Sequence, residues 1–338
     1  MPPPTTATSK TSRLSFPFVM LTPYPCVHHT YKCSQRGQYV EIVHGVLHRR
    51  CHPFNDDASA IDIPRLHAFL DWQLEEGVPG IIMLGTTGEF VAVTPEERRL
   101  LVEETVKRID GRIPVLVGTM NASTAIAVQQ SVEAEALGAD GFMTLPPYYY
   151  TPTDDEIYRY YEAIANATSV PIMLYNNPVT SNVDMSAELV ARLAKDFENV
   201  SYIKESSQDI ARVRDVIELA GDDMTVYAGE RVVDSFLLGA EGYVNPYGNY
   251  IPRASAGIWD LLTAGRIDEA RQIDRLIHRF DAIIAEGHPT YGHQCYSKRL
   301  AQREGFPMGP VRAPSPPSTS SAPRAKSAWR ASARSSTS

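Results

Sequence analysis

The chain has 338 residues, of which 43% are hydrophobic and 21% charged, and its formal net charge is −8 at pH 7. This composition excludes a mini-protein or a wholly disordered chain, because it provides enough apolar residues for a large core. The acidic residues are concentrated between residues 51 and 298, where 38 acidic and 19 basic side chains give a net charge of −19. Such an acidic segment disfavours nucleic acid or an anionic membrane as a partner.

Residues 1–40 are predicted to form an irregular or disordered extension. They contain no acidic residue and many Ser and Thr, as transit peptides do, but prolines interrupt the amphipathic helix that such a peptide needs. No stretch of the sequence reaches the ~18 apolar residues of a membrane span. The four cysteines show no CxxC spacing, which favours a reducing compartment over a disulfide framework. We therefore expect a cytoplasmic location, with mitochondria as the alternative.

Between residues 41 and 265, short apolar runs alternate with longer amphipathic segments, which predicts strands that are each followed by a helix. Eight βα units favour an α/β fold of the (β/α)₈ TIM-barrel type. A doubly wound sheet would instead carry a Gly-rich phosphate-binding turn after its first strand. The predicted strands are Val40–Leu47, Gly80–Leu84, Pro114–Gly118, Gly141–Leu145, Pro171–Tyr175, Val200–Lys204, Met224–Ala228 and Gly242–Asn245.

Two helix starts carry capping boxes, in which Thr94 is followed by Glu97 and Thr153 by Glu156. Residues 266–306 are predicted to form a helical extension after the eighth barrel helix. Residues 307–338 are rich in Pro, Ser and Arg, and we expect them to be a disordered tail.

In a (β/α)₈ barrel, reactive groups lie where the strands end. Lys204 ends the sixth strand, Tyr175 ends the fifth, and Gly85-Thr-Thr-Gly-Glu89 follows the second. A lysine at the end of an apolar strand is partly desolvated, which favours the neutral amine that can add to a ketone and form a Schiff base. From the residues alone, Lys204 could equally be an ion-pair partner of Glu205 or Glu89, and Tyr175 a core tyrosine with an exposed hydroxyl.

Taken together, these motifs resemble the dihydrodipicolinate synthase/N-acetylneuraminate lyase family of class I, Schiff-base-forming aldolases. The resemblance extends from residue 45 to about residue 312. It implies a homotetramer of (β/α)₈ barrels, a dimer of dimers, that binds a small keto acid and works through a pyruvate imine without metal or cofactor. The motifs that carry it are Gly85-Thr-Thr-Gly-Glu89, Pro147-Tyr-Tyr149, Tyr175-Asn-Asn-Pro178 and Ile203-Lys204-Glu205.

The same resemblance implies a role for individual residues. Lys204 would form the Schiff base, and Tyr175 would exchange protons with the substrate oxygen. Thr86 would link Tyr175 to Tyr149 of a neighbouring subunit. The carboxylate would be held by Thr86 and Thr87, and the pyruvate pocket would be shaped by Gly229 and Val244.

Two segments depart from the family pattern. Dihydrodipicolinate synthases resemble one another in an arginine two residues after the Tyr-Asn-x-Pro motif, where this chain has Thr180. A neutral surface suits hydroxyl groups better than a second carboxylate. The first strand ends in His48-Arg-Arg-Cys-His52, where small and apolar residues are expected.

We therefore expect a carbon–carbon lyase that cleaves a 2-keto-3-deoxy sugar acid into pyruvate and a short aldehyde. The candidates for contacts to the polyol are Thr180, Ser206, Glu230, Asn245 and Asn249.

Other activities remain open at this point. Within the same fold they are 4-hydroxy-tetrahydrodipicolinate synthase, 4-hydroxy-2-oxoglutarate aldolase and a keto-deoxy-acid dehydratase. An alternative of another class is a non-catalytic keto-acid-binding barrel, against which the joint retention of the lysine, both tyrosines and the threonine argues. The histidine pairs His48 with His52 and His288 with His293 are not expected to bind a metal.

Overall fold

The computed structural model describes residues 45–287 and 292–312. Eight parallel strands, each paired with the next and the last with the first, close into a barrel, which confirms the predicted (β/α)₈ fold. The strands are β1 Gly45–Arg49, β2 Ile81–Met83, β3 Val115–Gly118, β4 Gly141–Thr144, β5 Ile172–Asn176, β6 Tyr202–Glu205, β7 Thr225–Ala228 and β8 Gly242–Asn245.

Helices follow the strands and cover the outside of the barrel. The helices in the described residues are α1 Ile63–Glu75, α2 Pro95–Ile109, α3 Thr124–Ala136, α4 Asp154–Ala167, α5 Pro178–Ser181, α6 Ala187–Asp196, α7 Ile210–Ala220, α8 Val232–Leu237, α9 Pro252–Thr263, α10 Ile267–Gly287 and α11 His293–Arg303. Both predicted capping boxes are present, at the starts of α2 and α4. None of the helices in this part of the chain is long and apolar enough to cross a membrane.

The strand pleat divides the core into an interior and an exterior set. Successive side chains of a strand point to opposite faces, so one alternate set fills the barrel and the other packs under the helices. Because the alternation continues along each strand, a residue two positions after an interior one also faces inward, nearer the C-terminal mouth. The interior set is Leu47, Ile82, Leu116, Met143, Met173, Tyr202, Tyr227 and Val244.

The first strand was predicted to end two residues too early. It runs over Gly45–Arg49, and residues 40–44 of the prediction lie outside the described part of the chain. The end of the strand was missed because its residues are polar. His48, one of them, is fully buried, with Nδ1 3.2 Å from Asn245 Oδ1. Burial lowers the pKa of His48 to about 4, so the ring is neutral at pH 7 and can occupy the strand's outward face.

The C-terminal extension folds back over the mouth of the barrel. In α11, Lys298 forms a buried ion pair with Glu89, with Nζ 2.6 Å from Oε1. The prediction of a disordered tail from residue 307 is wrong for its first six residues. Met308 is buried and accepts a hydrogen bond from Phe54 N, and Arg312 N donates to Glu89 Oε2 at 2.8 Å. Residues 1–40 and 313–338, also predicted to be disordered, lie outside the described residues.

Candidate active site

Lys204 lies at the C-terminal mouth of the barrel, and its side chain is fully buried. The parallel register of β5 and β6 sets Tyr175 directly beside it, and Lys204 Nζ lies 3.8 Å from the centre of the Tyr175 ring. Among the described residues, no hydrogen-bond acceptor pairs with this nitrogen. The amine therefore sits in the interior without a fixed counter-ion.

The two acidic residues that could have paired with Lys204 are engaged elsewhere. Glu89 pairs with Lys298 across the threonine turn. The Glu205 carboxylate accepts from Asn176 Nδ2 at 2.9 Å and from the Ser207 backbone N–H at 2.5 Å. The ion-pair interpretation of Lys204 is thus excluded by the geometry, and the lysine is left available for chemistry.

Burial and neighbouring charge lower the pKa of Lys204 to about 8. Desolvation is the larger cause and the positive charge of Arg49 adds to it, while Tyr175 acts in the opposite direction. Burial raises the pKa of Tyr175, but the charges of Lys204 and Arg49 outweigh this and bring it to about 8. Both groups consequently exchange protons near neutral pH, which suits one to be a nucleophile and the other an acid and base.

The Tyr175 hydroxyl has a partner that the sequence did not point to. Asn177 Nδ2 donates a hydrogen bond to it at 2.8 Å, from the residue just before α5. This bond stabilises the phenolate form and fixes the direction of the hydroxyl. The repeated asparagine in Tyr175-Asn-Asn-Pro178 was the available signal.

The threonine turn is a single 3₁₀ turn over Thr86–Gly88. It is held from outside by α11, in which Gln294 Nε2 donates to Thr86 O at 3.2 Å and His293 Nε2 lies 3.2 Å from Thr87 Oγ1. Glu89 closes the turn in the left-handed conformation, with φ 54°. The C-terminal helix thereby fixes the segment that was predicted to hold the substrate carboxylate.

Tyr149 does not reach the site within its own chain. Its backbone has φ 87°, its side chain is 86% exposed, and its ring contacts Tyr150 edge-on at 5.4 Å between centroids. A proton relay from Thr86 through Tyr149 therefore requires a second chain, and it stays a prediction.

Ser206 directly follows β6, Gly229 follows the neighbouring strand β7, and Val244 lies in β8. A side chain at position 229 would place a Cβ 1.7 Å from Ser206 Oγ, so only glycine fits there. Val244 belongs to the interior set, and the buried Ser206 hydroxyl has no partner among the described residues. Glu230 is exposed beyond β7, and Thr180 is exposed in α5.

Two predicted sugar contacts are corrected by the structure. The Asn249 side chain donates to Arg49 O at 2.7 Å and to Pro246 O, and accepts from Cys51 N, so both ends of its amide hold the backbone. Asn245 directly follows the interior Val244 and so faces outward, where its Oδ1 accepts from Ser255 Oγ of α9 and from Tyr247 N in the turn after β8. These asparagines stabilise the barrel mouth.

A cavity of about 190 Å³ adjoins the threonine turn. Most of its polar lining is neutral, and its cation, Arg312, is bound to Glu97 in an ion pair. Within the described residues, no group of three or more His, Cys, Asp or Glu is placed to hold a metal ion. The lining residues with polar side chains are Thr86, Glu89, Tyr148, Thr180, Ser181, Gln294 and Arg312.

A desolvated lysine beside a tyrosine of lowered pKa, at the mouth of a (β/α)₈ barrel, defines a carbon–carbon lyase of the Schiff-base aldolase type. Residues 43–329 match the family model described as the dihydrodipicolinate synthetase family. The chain belongs to this family, and the non-catalytic alternative is therefore wrong.

Among curated relatives, the chain is similar to two proteins named 4-hydroxy-tetrahydrodipicolinate synthase. The one from Persephonella marina is 38% identical over 240 residues, which cover 70% of this chain and 81% of the relative. The one from Gluconacetobacter diazotrophicus is 38% identical over 247 residues, covering 70% and 80%.

Solved structures show the same likeness. The dihydrodipicolinate synthase of Thermotoga maritima superimposes with a TM-score of 0.77 at 29% identity, covering 83% of this chain and 95% of that one. A prophage protein of the dihydrodipicolinic acid synthase family from E. coli K12, crystallised with pyruvate, gives a TM-score of 0.75 at 27% identity, covering 81% and 92%.

The lowered pKa of Lys204 predicts how pyruvate capture depends on pH. Only the neutral amine attacks a ketone, and the Tyr175 phenol donates a proton as water leaves, so the initial rate of borohydride-trapped adduct should rise with pH to a maximum near 8 and fall as the phenol ionises. With a lysine of ordinary pKa, the rate would instead continue to rise toward pH 10.5. The measurement is intact mass after short exposures to pyruvate and borohydride from pH 6 to 11. A maximum near the pKa of an ordinary lysine would contradict the buried, uncompensated amine.

Proposed function

We propose that this chain cleaves a 2-keto-3-deoxy sugar acid into pyruvate and a short aldehyde through a Schiff base on Lys204. The observation that carries the proposal is the cavity beside the threonine turn. Its hydroxyl and amide side chains can pair with a polyol, and its cation is already neutralised by Glu97. A substrate with several hydroxyl groups fits such a lining better than one with a second carboxylate.

The chemistry begins with the neutral amine of Lys204, which adds to the C2 carbonyl. The carbonyl oxygen leaves as water, taking one proton from the amine and one from Tyr175, and a protonated imine remains. The C3–C4 bond then breaks, and its electron pair moves into the imine to give an enamine. The Tyr175 phenolate takes the proton of the C4 hydroxyl as the aldehyde departs. Protonation of the enamine at C3 and addition of water release pyruvate.

The threonine turn and Asn177 support these steps by position. Backbone N–H groups in the turn are suited to a carboxylate, and α11 fixes the turn through Thr86 and Thr87. Asn177 directs the Tyr175 hydroxyl. Orientation of this kind removes part of the entropic barrier to each proton transfer.

A second candidate is 4-hydroxy-tetrahydrodipicolinate synthase, the name that curated relatives such as that of Persephonella marina carry. It would use the same imine but would condense pyruvate with an aldehyde that bears its own carboxylate. Against it stands Thr180, an exposed neutral residue in α5, where those synthases have an arginine.

A substrate panel separates the two candidates. Purified protein is incubated with 2-keto-3-deoxy sugar acids of five and six carbons, and pyruvate is measured with lactate dehydrogenase. In parallel, pyruvate and aspartate semialdehyde are supplied and condensation is followed. We expect pyruvate release from at least one sugar acid and slower condensation. Condensation that exceeds every cleavage rate by tenfold would favour the synthase instead.

A further inference from the structure

Arg49 places a guanidinium group in the mouth of the barrel. It is the last residue of β1 and pairs with Ile82 of β2. Leu47, two positions earlier, belongs to the interior set, so the pleat directs Arg49 inward and toward the C-terminal mouth. Lys204 and Tyr175 are placed by the same rule, each two positions after an interior residue of its own strand. The three side chains therefore face one another around the upper end of the barrel.

This guanidinium has no counter-ion in the described part of the chain. Arg49 is 8% exposed and its buried Nε has no acceptor, and no carboxylate there forms an ion pair with it. A buried charge without a partner is costly, whereas an arginine with a carboxylate partner can form two parallel hydrogen bonds. The positive charge of Arg49 lowers the pKa of both Lys204 and Tyr175.

The position of Arg49 is fixed by its neighbours. Asn249 Nδ2 donates to Arg49 O at 2.7 Å, and Cys51 N donates to Asn249 Oδ1 at 2.9 Å, so one buried amide holds the backbone on both sides of Arg50. Beside β1, strand β2 leads into the turn at Thr86–Gly88. An anion lying between the lysine and that turn would therefore meet the Arg49 side chain.

We propose that Arg49 binds the carboxylate of the keto acid that reacts at Lys204. The inference rests on the proposed Schiff-base function and adds a residue that selects 2-keto acids over ketones without a carboxylate. Hydroxyl groups of the aldehyde half could not neutralise a guanidinium, whereas the carboxylate of every 2-keto acid can. The backbone N–H groups of the threonine turn would bind the same carboxylate from the adjacent strand.

The test compares pyruvate with hydroxyacetone, a ketone of similar size that lacks the carboxylate. For each, the concentration that gives half-maximal borohydride trapping on Lys204 is measured by mass mapping, and the ratio of the two gives the preference for the acid. This ratio cancels any change in the reactivity of the amine itself. In Arg49→Met and Arg49→Gln the preference should fall about 10- to 100-fold, the range for a hydrogen bond to a charged group. In Arg49→Lys, which keeps the charge but not the planar guanidinium, the preference for pyruvate should lie between that of these variants and that of the wild type.

The matched control is Arg108→Met, in the last turn of α2 and thus at the opposite end of the barrel. Arg108 is exposed and paired with Asp71, so its replacement should leave the preference unchanged. Circular dichroism identifies the folded variants, and either neutral Arg49 variant that folds decides the result. If that variant still forms the Lys204 adduct and its preference is unchanged, the role of Arg49 is overturned but the Schiff-base function is not. Absence of any Lys204 adduct in the wild type would overturn both proposals, and trapping without sugar-acid cleavage would overturn the cleavage alone.

Discussion

Lys204→Ala should remove pyruvate trapping altogether and lower turnover by at least about 10⁴-fold, the scale on which loss of a covalent nucleophile acts. No other described amine lies in the same surroundings: Lys298, the other buried lysine, is bound to Glu89. Without the imine, the carbanion left by C–C cleavage has no electron sink. The measurement is pyruvate release together with peptide mapping of the reduced adduct.

Lys204→Met keeps the volume of the side chain, so a loss of activity in this variant cannot be attributed to collapse of the pocket. It should fold at least as stably as the wild type, because a buried amine without a partner is replaced by an apolar group. The folded-state pKa of about 8 lies below the ordinary value of 10.5, so this gain should be full below pH 8 and fade toward pH 10.5. Lys195→Met, an exposed lysine near the end of α6, is the control and should change neither activity nor trapping. Residual turnover above about one hundredth in either Lys204 variant would refute its role.

Tyr175→Phe should lower kcat by about 10²- to 10⁴-fold, the usual contribution of a positioned acid and base. The pyruvate adduct on Lys204 should still form, but more slowly, because the phenol donates a proton as water leaves. Long incubation with pyruvate and borohydride should therefore reach the same final labelling as in the wild type. The measurement is kcat on the best substrate of the panel, beside the time course of labelling.

Tyr158→Phe is the control for this experiment. Tyr158 lies on α4 and its hydroxyl donates to Asp196 at 2.8 Å, on the outside of the barrel. Removing this exposed bond should leave kcat unchanged. Equal kcat in the two phenylalanine variants would mean that Tyr175 only fills space beneath the lysine.

The local pattern located most of the strands. β8 was predicted with its observed bounds, and β7 differs by one residue at its start. Parallel barrel strands are buried on both faces, so each appears in the sequence as a short, continuous apolar run that can be recognised from neighbouring residues alone. The predicted β1 ended two residues short because the end of this strand is polar. Its His48 lies on the outward face as a neutral ring in contact with Asn245, which the local pattern does not show.

The site residues likewise divide into those that the local sequence identifies and those whose partners lie far along the chain. Lys204 and Tyr175 were found because each ends an apolar strand, a property of a few consecutive residues. The partner of Glu89 was not found, since Lys298 lies in a helix far along the chain and reaches the threonine turn only when α11 folds over the mouth. Asn245 and Asn249 were taken for substrate contacts because an amide at or just after a strand end looks the same in the sequence whether it binds a ligand or the protein itself.

The amino-acid sequence by itself determined the strand–helix alternation, the capped helices and the reactive residue types at the strand ends, because these depend on side-chain periodicity over short distances. The tertiary structure alone decided which charges are paired. Barrel closure brings Arg49 of the first strand into the mouth that Lys204 shares, and the C-terminal helix gives Glu89 its lysine. Electrostatic pairing and desolvation depend on distances between residues remote in sequence, and a one-dimensional pattern does not contain those distances.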